Sequence, residues 1–154
     1  MRIDTTHHYD ATPAAVHAML ADPGFWESLA GGYVQACQAT STADGVAVAL
    51  TVKAPAEAKR VTGDTIEATL AASWQADGES WAGPLTLRVK GLPASFDGSS
   101  TVSPDGDGTK VVYTGDLSIK LPLVGPSLEA KAAPFLMGVI NAQEAAGARW
   151  LASH

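Results

Sequence analysis

The sequence predicts an α+β protein: a seven-stranded antiparallel curved sheet wrapped around a long C-terminal helix, with two short helices after the first strand. Three observations carry that prediction. Residues 121–151, LPLVGPSLEAKAAPFLMGVINAQEAAGARWL, end a strand, turn between Pro122 and Pro126 and continue as one amphipathic helix. The preceding chain alternates apolar and polar residues in short runs separated by Gly, Asp and Pro, the period-two mark of strands with one packed and one wet face. Loops of a few residues between the runs join neighbouring strands antiparallel. A helix on one face of such a sheet is an α+β layer arrangement.

Taken in order, Ile3, Thr5, His7 and Tyr9 form the inward set of a first strand. Thr12 and Pro13 are a helix start, an N-cap followed by proline at the first helical position, with Val16, Met19 and Leu20 as the apolar face. Asp22-Pro23-Gly24 ends that helix; Phe25, Trp26 and Leu29 give another turn, closed by Gly31 and Gly32. Six strands follow. Residues 33–40 and 46–52 are joined across Ala43-Asp44-Gly45, a hairpin signal. Residues 54–63 form an irregular or briefly helical excursion. Ile66, Ala68, Leu70, Ala72 and Trp74 then face inward, as do Trp81, Gly83, Leu85, Leu87 and Val89 after a turn at Asp77-Gly78. Ala94, Phe96, Gly98, Ser100 and Val102 are the next inward set. The turn SPDGDG leads into Val111, Tyr113, Gly115, Leu117 and Ile119. Inward glycines at 83, 98 and 115 permit strong bending of the sheet.

The terminal helix, residues 126–151, is roughly 39 Å long at 1.5 Å per residue. Leu128, Ala132, Phe135, Leu136, Val139, Ile140, Gln143 and Trp150 recur at three- and four-residue steps as its buried stripe. Pro134 lacks an amide and crowds the carbonyl one turn back, so a kink or local break is expected there. The bend either follows the curved sheet or opens room for a ligand against Phe135, Leu136, Val139 and Ile140. Glu129, Lys131, Glu144 and Arg149 interrupt the apolar run, which argues against a transmembrane span.

The 154 residues fit one domain, residues 1–154, with 46% hydrophobic and 6% aromatic side chains. A net charge of −6 argues against a nucleic-acid partner, and equally against docking on anionic lipid through a basic face. Lys53, Lys59 and Arg60 are the one basic cluster and read as a solvated loop. A single cysteine, Cys37, excludes an internal disulfide and any multi-cysteine metal site. The opening MRIDTTHHYD lacks the apolar stretch of a secretion signal, so a cytoplasmic location is expected.

The element order, together with SPDGDGTKVVYTGDLSIKLPLVGPSLE at residues 103–129, resembles the START-like (SRPBCC) superfamily, which includes polyketide cyclases and lipid-transfer domains. It looks more narrowly like a bacterial family within it that shares an MRI-type first strand, an xPDGDGT hairpin and a VPLVG-like turn before the final helix. The resemblance covers nearly the whole chain and is looser from 53 to 61. It implies a helix-grip fold with a hydrophobic pocket between sheet and C-terminal helix. No catalytic motif is shared across the superfamily, so the resemblance stops short of chemistry.

Alternation and helix face, not a family motif, supply the candidate ligand-binding set: His7, Trp74, Leu85, Leu87, Phe96, Tyr113, Leu117, Phe135, Leu136, Val139, Ile140 and Gln143. For Trp74, Trp81, Phe96 and Tyr113, pocket wall and ordinary core are equal alternatives; Trp26 is a lid or a packing anchor. His7, His8, His17 and His154 do not converge on a metal, and the Asp105-Asp107-Thr109 hairpin lacks the glycine and glutamate of a calcium loop. No catalytic residue, metal or cofactor is assigned. The expected function is binding of a small hydrophobic molecule: a lipid, a polyketide-like aromatic or a quinone. The alternatives are a cyclase or dehydratase using His7 or Tyr113 in the same cavity, and an interaction module whose groove is filled.

Overall fold

A computed structural model describes all residues except Tyr33 and Glu57. The elements run β1 (Arg2–Tyr9), α1 (Pro13–Leu20), α2 (Pro23–Glu27), β2 (Val34–Ser41), β3 (Gly45–Lys53), α3 (Lys59–Thr62), β4 (Thr65–Ser73), β5 (Gln75–Asp77), β6 (Ser80–Val89), β7 (Ala94–Asp105), β8 (Gly108–Ile119) and α4 (Gly125–Ser153). The strands form one antiparallel sheet in the order β1-β8-β7-β6-β4-β3-β2, with β5 paired to β6. The first strand therefore joins at an edge, beside the last. The predicted start of the second strand at Tyr33 lies outside the described residues.

The short strand β5 departs from the sequence reading, which ran one strand from 66 to 74. Opposite that point, a Cβ on Gly83 would stand 1.8 Å from the Ser73 carbonyl oxygen. The two backbones thus touch where the chain breaks step, and only glycine fits. Gly98 and Gly115 face one another across β7 and β8, and a Cβ on either would come within 2.7 Å of the other's Cα. These close crossings lie on the inward face, where removing side chains lets the sheet curl.

The helix starts are built from the expected signals. Thr12 accepts the Ala15 N–H at 3.2 Å, and Asp22 accepts the Gly24 N–H at 2.8 Å. Asp22-Pro23 therefore begins α2 as well as ending α1, an N-cap with proline in the first turn. Val16, Met19, Leu20 and Phe25 are fully enclosed. Together with Val102 and Val111, they make the end of the sheet beneath α1 a solid core.

Helix α4 runs unbroken through Pro134, so the expected local break does not occur. Pro134 is solvent-exposed, and its missing hydrogen bond leaves the carbonyl of Ala130 open to water. The helix packs on β8, β1 and α1. At Gly147 it comes so close that a Cβ would sit 2.7 Å from the Tyr9 ring, whereas a Cβ on Gly138 would meet nothing within 4 Å.

Two glycine-to-alanine changes in one helix should consequently have opposite signs. Gly138→Ala gains helix propensity and should raise stability by up to about 1 kcal/mol, roughly 2–4 °C in Tm. Gly147→Ala drives a methyl into Tyr9; overpacking of about 1–3 kcal/mol outweighs the same gain, and Tm should fall. Thermal unfolding followed by circular dichroism decides it, and shifts of equal sign would disprove the close approach.

Candidate functional site

Two adjoining chambers lie between the concave face of the sheet and α4. The larger, about 390 Å³, is lined by Leu85, Leu87, Phe96 and Tyr113 from the sheet, by Leu136, Val139, Ile140 and Gln143 from α4, and by Trp26 and residues 28–32 after α2. The smaller, about 180 Å³, lies towards the start of α4. Its walls include Leu87, Phe96 and Leu117 from the sheet, Phe135, Leu136 and Val139 from α4, and Pro55, Ala58 and Val61 around α3. Leu50, Leu87, Phe96, Leu136 and Val139 line both, so they form the partition between the chambers. Phe135, Leu136, Val139 and Ile140 are only half-buried, because the face they turn to the sheet meets open space.

Ten of the twelve sequence-derived positions line a chamber; His7 and Trp74 line neither. His7 is fully buried, its ring 5.2 Å from that of Tyr113 and its Nδ1 3.4 Å from the Tyr9 hydroxyl. Trp74 lies under α1, its ring edge-on to His17 at 5.9 Å, while Trp81 stacks on the same imidazole at 4.7 Å. Both sit towards the end of the sheet that α1 fills, so inward-facing side chains there become core. The candidate set omits Leu50, Leu70 and the 28–32 segment, which line a chamber. Leu50 and Leu70 carried the inward alternation, but no sequence signal brings the α2–β2 connection over the sheet. The Trp26 Nε1–H donates to the Leu20 carbonyl at 2.7 Å, while the ring walls the larger chamber.

The polar part of the wall is small. Tyr113 and Gln143 are both nearly enclosed, and the Tyr113 hydroxyl, Gln143 Nε2 and the neighbouring His7 Nε2 lack a protein hydrogen-bond partner among the described residues. Burial raises the Tyr113 pKa strongly, the Tyr9 phenol adds to it, and the nearby Gln143 amide opposes it. Tyr113 is therefore a neutral phenol. Burial lowers the His7 pKa, Glu144 opposes that shift and His8 adds to it, so the imidazole is held neutral. Cys37 is pushed up to about 11 by burial and by Glu27, which keeps its thiol protonated and unreactive. The site can offer hydrogen bonds to a neutral group; among its described residues there is no ionised acid–base pair.

Among the described residues, no cluster of three or more His, Cys, Asp or Glu is placed to hold a metal. None of their helices is long and apolar enough to cross a membrane.

A curved antiparallel sheet closed by a long C-terminal helix over interior space is a START-like, helix-grip fold. The chain belongs to the family described as "Protein of unknown function (DUF2505)", which matches residues 4–151. No curated protein sequence matches it. Among solved structures it is similar to a START superfamily protein from Mycobacterium smegmatis, with TM-score 0.63, 16% identity and 94% of each chain covered. It is similar also to the Zhui aromatase/cyclase from Streptomyces, with TM-score 0.60, 16% identity, and 98% of this chain and 90% of that one covered. A third likeness is to Thalictrum norcoclaurine synthase, with TM-score 0.66, 14% identity, and 100% and 95% coverage. At these identities the likeness is one of fold.

Because the folded-state pKa of His7 lies below its ordinary 6.5, the unfolded chain takes up a proton first as pH falls. Stability should be level above pH 6.5 and decline below it, with a slope of up to about 1.4 kcal/mol per pH unit. His17, lowered by burial too, acts in the same direction. Urea unfolding between pH 7.5 and 5 (about one unit above and 1.5 below the ordinary histidine value) should show a shallower decline in His7→Gln, and an unchanged slope would contradict a buried neutral His7.

Proposed function

We propose that the protein binds a small hydrophobic molecule (a lipid, a polyketide-like aromatic or a quinone) in the two chambers beneath α4. The observation that carries this reading is the continuous apolar wall of Leu87, Phe96, Leu136 and Val139 shared by chambers of about 390 and 180 Å³. A ligand burying roughly 300 Å² of apolar surface there gains on the order of 7 kcal/mol before the entropic cost of association. Leu85, Leu117, Phe135 and Ile140 extend the apolar contact, while Tyr113 and Gln143 supply the polar end.

Binding without chemistry is the reading the geometry favours over a cyclase or dehydratase. The acid–base pair considered from sequence, His7 with Tyr113, has only Tyr113 in the cavity wall, and both groups are held neutral. The interaction-module alternative expects a groove filled by side chains, and these chambers are the observation against it.

Native mass spectrometry of freshly purified protein should detect a co-purified apolar molecule, released on denaturation. Leu136→Trp, which fills the partition, should abolish that adduct without lowering Tm. Ile140→Asp, placing a charge in the apolar wall, should weaken binding of a fluorescent apolar probe at least about tenfold, or about 1.4 kcal/mol. Unchanged probe affinity in both variants would refute the pocket.

A further inference from the structure

The protein's surface charge is sorted by position, and its exposed apolar residues lie at one pole. The ends of β3, β6 and β8 and the starts of β4, β7 and α4 share one end of the sheet. There the exposed Lys53, Lys59, Arg60, Lys120 and Lys131 flank the smaller chamber, which Lys131 itself helps to line. Two acids of this end are engaged: Glu67 pairs with Lys90 at 3.1 Å, and Glu129 accepts the Ile119 N–H at 3.0 Å. Asp64 is the remaining acid among its described residues. The opposite end carries Asp10, Asp44, Asp77, Glu79, Asp105 and Asp107 against Lys110 and Arg149. A net charge of −6 therefore conceals a dipole with its cations around the chamber.

At this same basic end, Leu123 is fully exposed, with Val61 at 52% and Val124 at 49%. Leu123 has φ of 70°, a left-handed backbone that leucine rarely adopts. The turn thus holds an apolar side chain out in solvent between Leu121 and Leu128, which line the smaller chamber. Val61 belongs to the chamber wall as well as to the surface.

We infer that this end docks on an anionic lipid bilayer. Leu123, Val124 and Val61 enter the interfacial layer, Lys59, Arg60 and Lys131 face the lipid phosphates, and the acidic pole points away. Apolar insertion with a few nearby cations is the combination that gives reversible surface binding. Net charge alone counts against such docking, but folding brings Lys120 and Lys131 to the three cations that the sequence shows as a loop cluster. The inference does not require a ligand in the chambers, so it stands or falls separately from the binding proposal.

The test is co-sedimentation of the purified protein with phosphatidylcholine vesicles, with and without phosphatidylglycerol. Binding should require phosphatidylglycerol and weaken with salt. Lys59→Glu, Arg60→Glu and Lys131→Glu should each weaken it about fivefold or more, and Leu123→Asp should remove it; Lys110→Glu at the far pole should not weaken it. Lys59, Arg60, Leu123 and Lys131 are exposed and Lys110 is partly exposed, and circular dichroism checks that the fold is kept. No binding to anionic vesicles would overturn the inference. So would binding insensitive to Leu123→Asp, or a self-association that Leu123→Asp disrupts, which would make the patch a contact between copies of this chain.

Discussion

Helix α4 is fastened close to the sheet at its two ends, and the interior follows from that. At its start, a Cβ on Gly125 would stand 2.2 Å from the Ile119 carbonyl oxygen, while the Glu129 carboxylate accepts the Ile119 N–H. That hydrogen bond is the main reason the Glu129 pKa is lowered. At the far end, Gly147 lets Tyr9 approach to a distance no side chain would permit. Between these contacts the helix spans a concave surface as a chord spans an arc, and the largest gap falls under its middle. Gly138, Val139 and Ile140 stand over that gap. The helix interior is consequently half-buried without being loosely held, since each anchor involves backbone or a buried ring.

Much of this architecture was legible in the chain because burial of one face enforces a strict period. The alternation of Val111, Tyr113, Gly115 and Leu117 fixes both the strand and its inward side; a slip of one residue would turn all four to solvent. The stripe from Leu128 to Trp150 fixes the helix face in the same way. What failed were details decided by contacts distant in sequence. The break between β4 and the unpredicted short strand β5 depends on Gly83 approaching Ser73. The continuity of α4 through Pro134 depends on that residue facing water, and Asp22-Pro23 serves two helices because α2 follows α1 at once.

The candidate site was legible to a different depth. Period two tells which face of a strand a residue occupies and says nothing about which end of the sheet is capped. His7 and Trp74 share their inward face with Tyr113 and Leu70, yet α1 closes the sheet above Trp74 and leaves Leu70 beside the larger chamber. Likewise Lys120 and Lys131 lie far along the chain from Lys53 and Lys59, and only the return of β8 and α4 to the same end unites them.

If the chambers take a ligand as proposed, the two kinds of wall divide the work of recognition unequally. The apolar partition of Leu87, Phe96, Leu136 and Val139 rewards any greasy surface in proportion to its area, so it supplies affinity with little discrimination. Discrimination comes from groups that penalise a mismatch. Tyr113 and Gln143 are such groups, being buried polar side chains in the wall of the larger chamber whose hydroxyl and Nε2 find no partner among the described residues. A ligand that presses hydrocarbon against them leaves those atoms unpaired in a low-dielectric setting, at a cost of about 1–3 kcal/mol each. One that presents a neutral oxygen satisfies them, whereas a carboxylate meets no buried cation among the described residues of the larger chamber: Arg149, the basic one among them, is solvent-exposed. Under the proposed binding function, selectivity is therefore expected at Tyr113 and Gln143, while the rest of the cavity governs size.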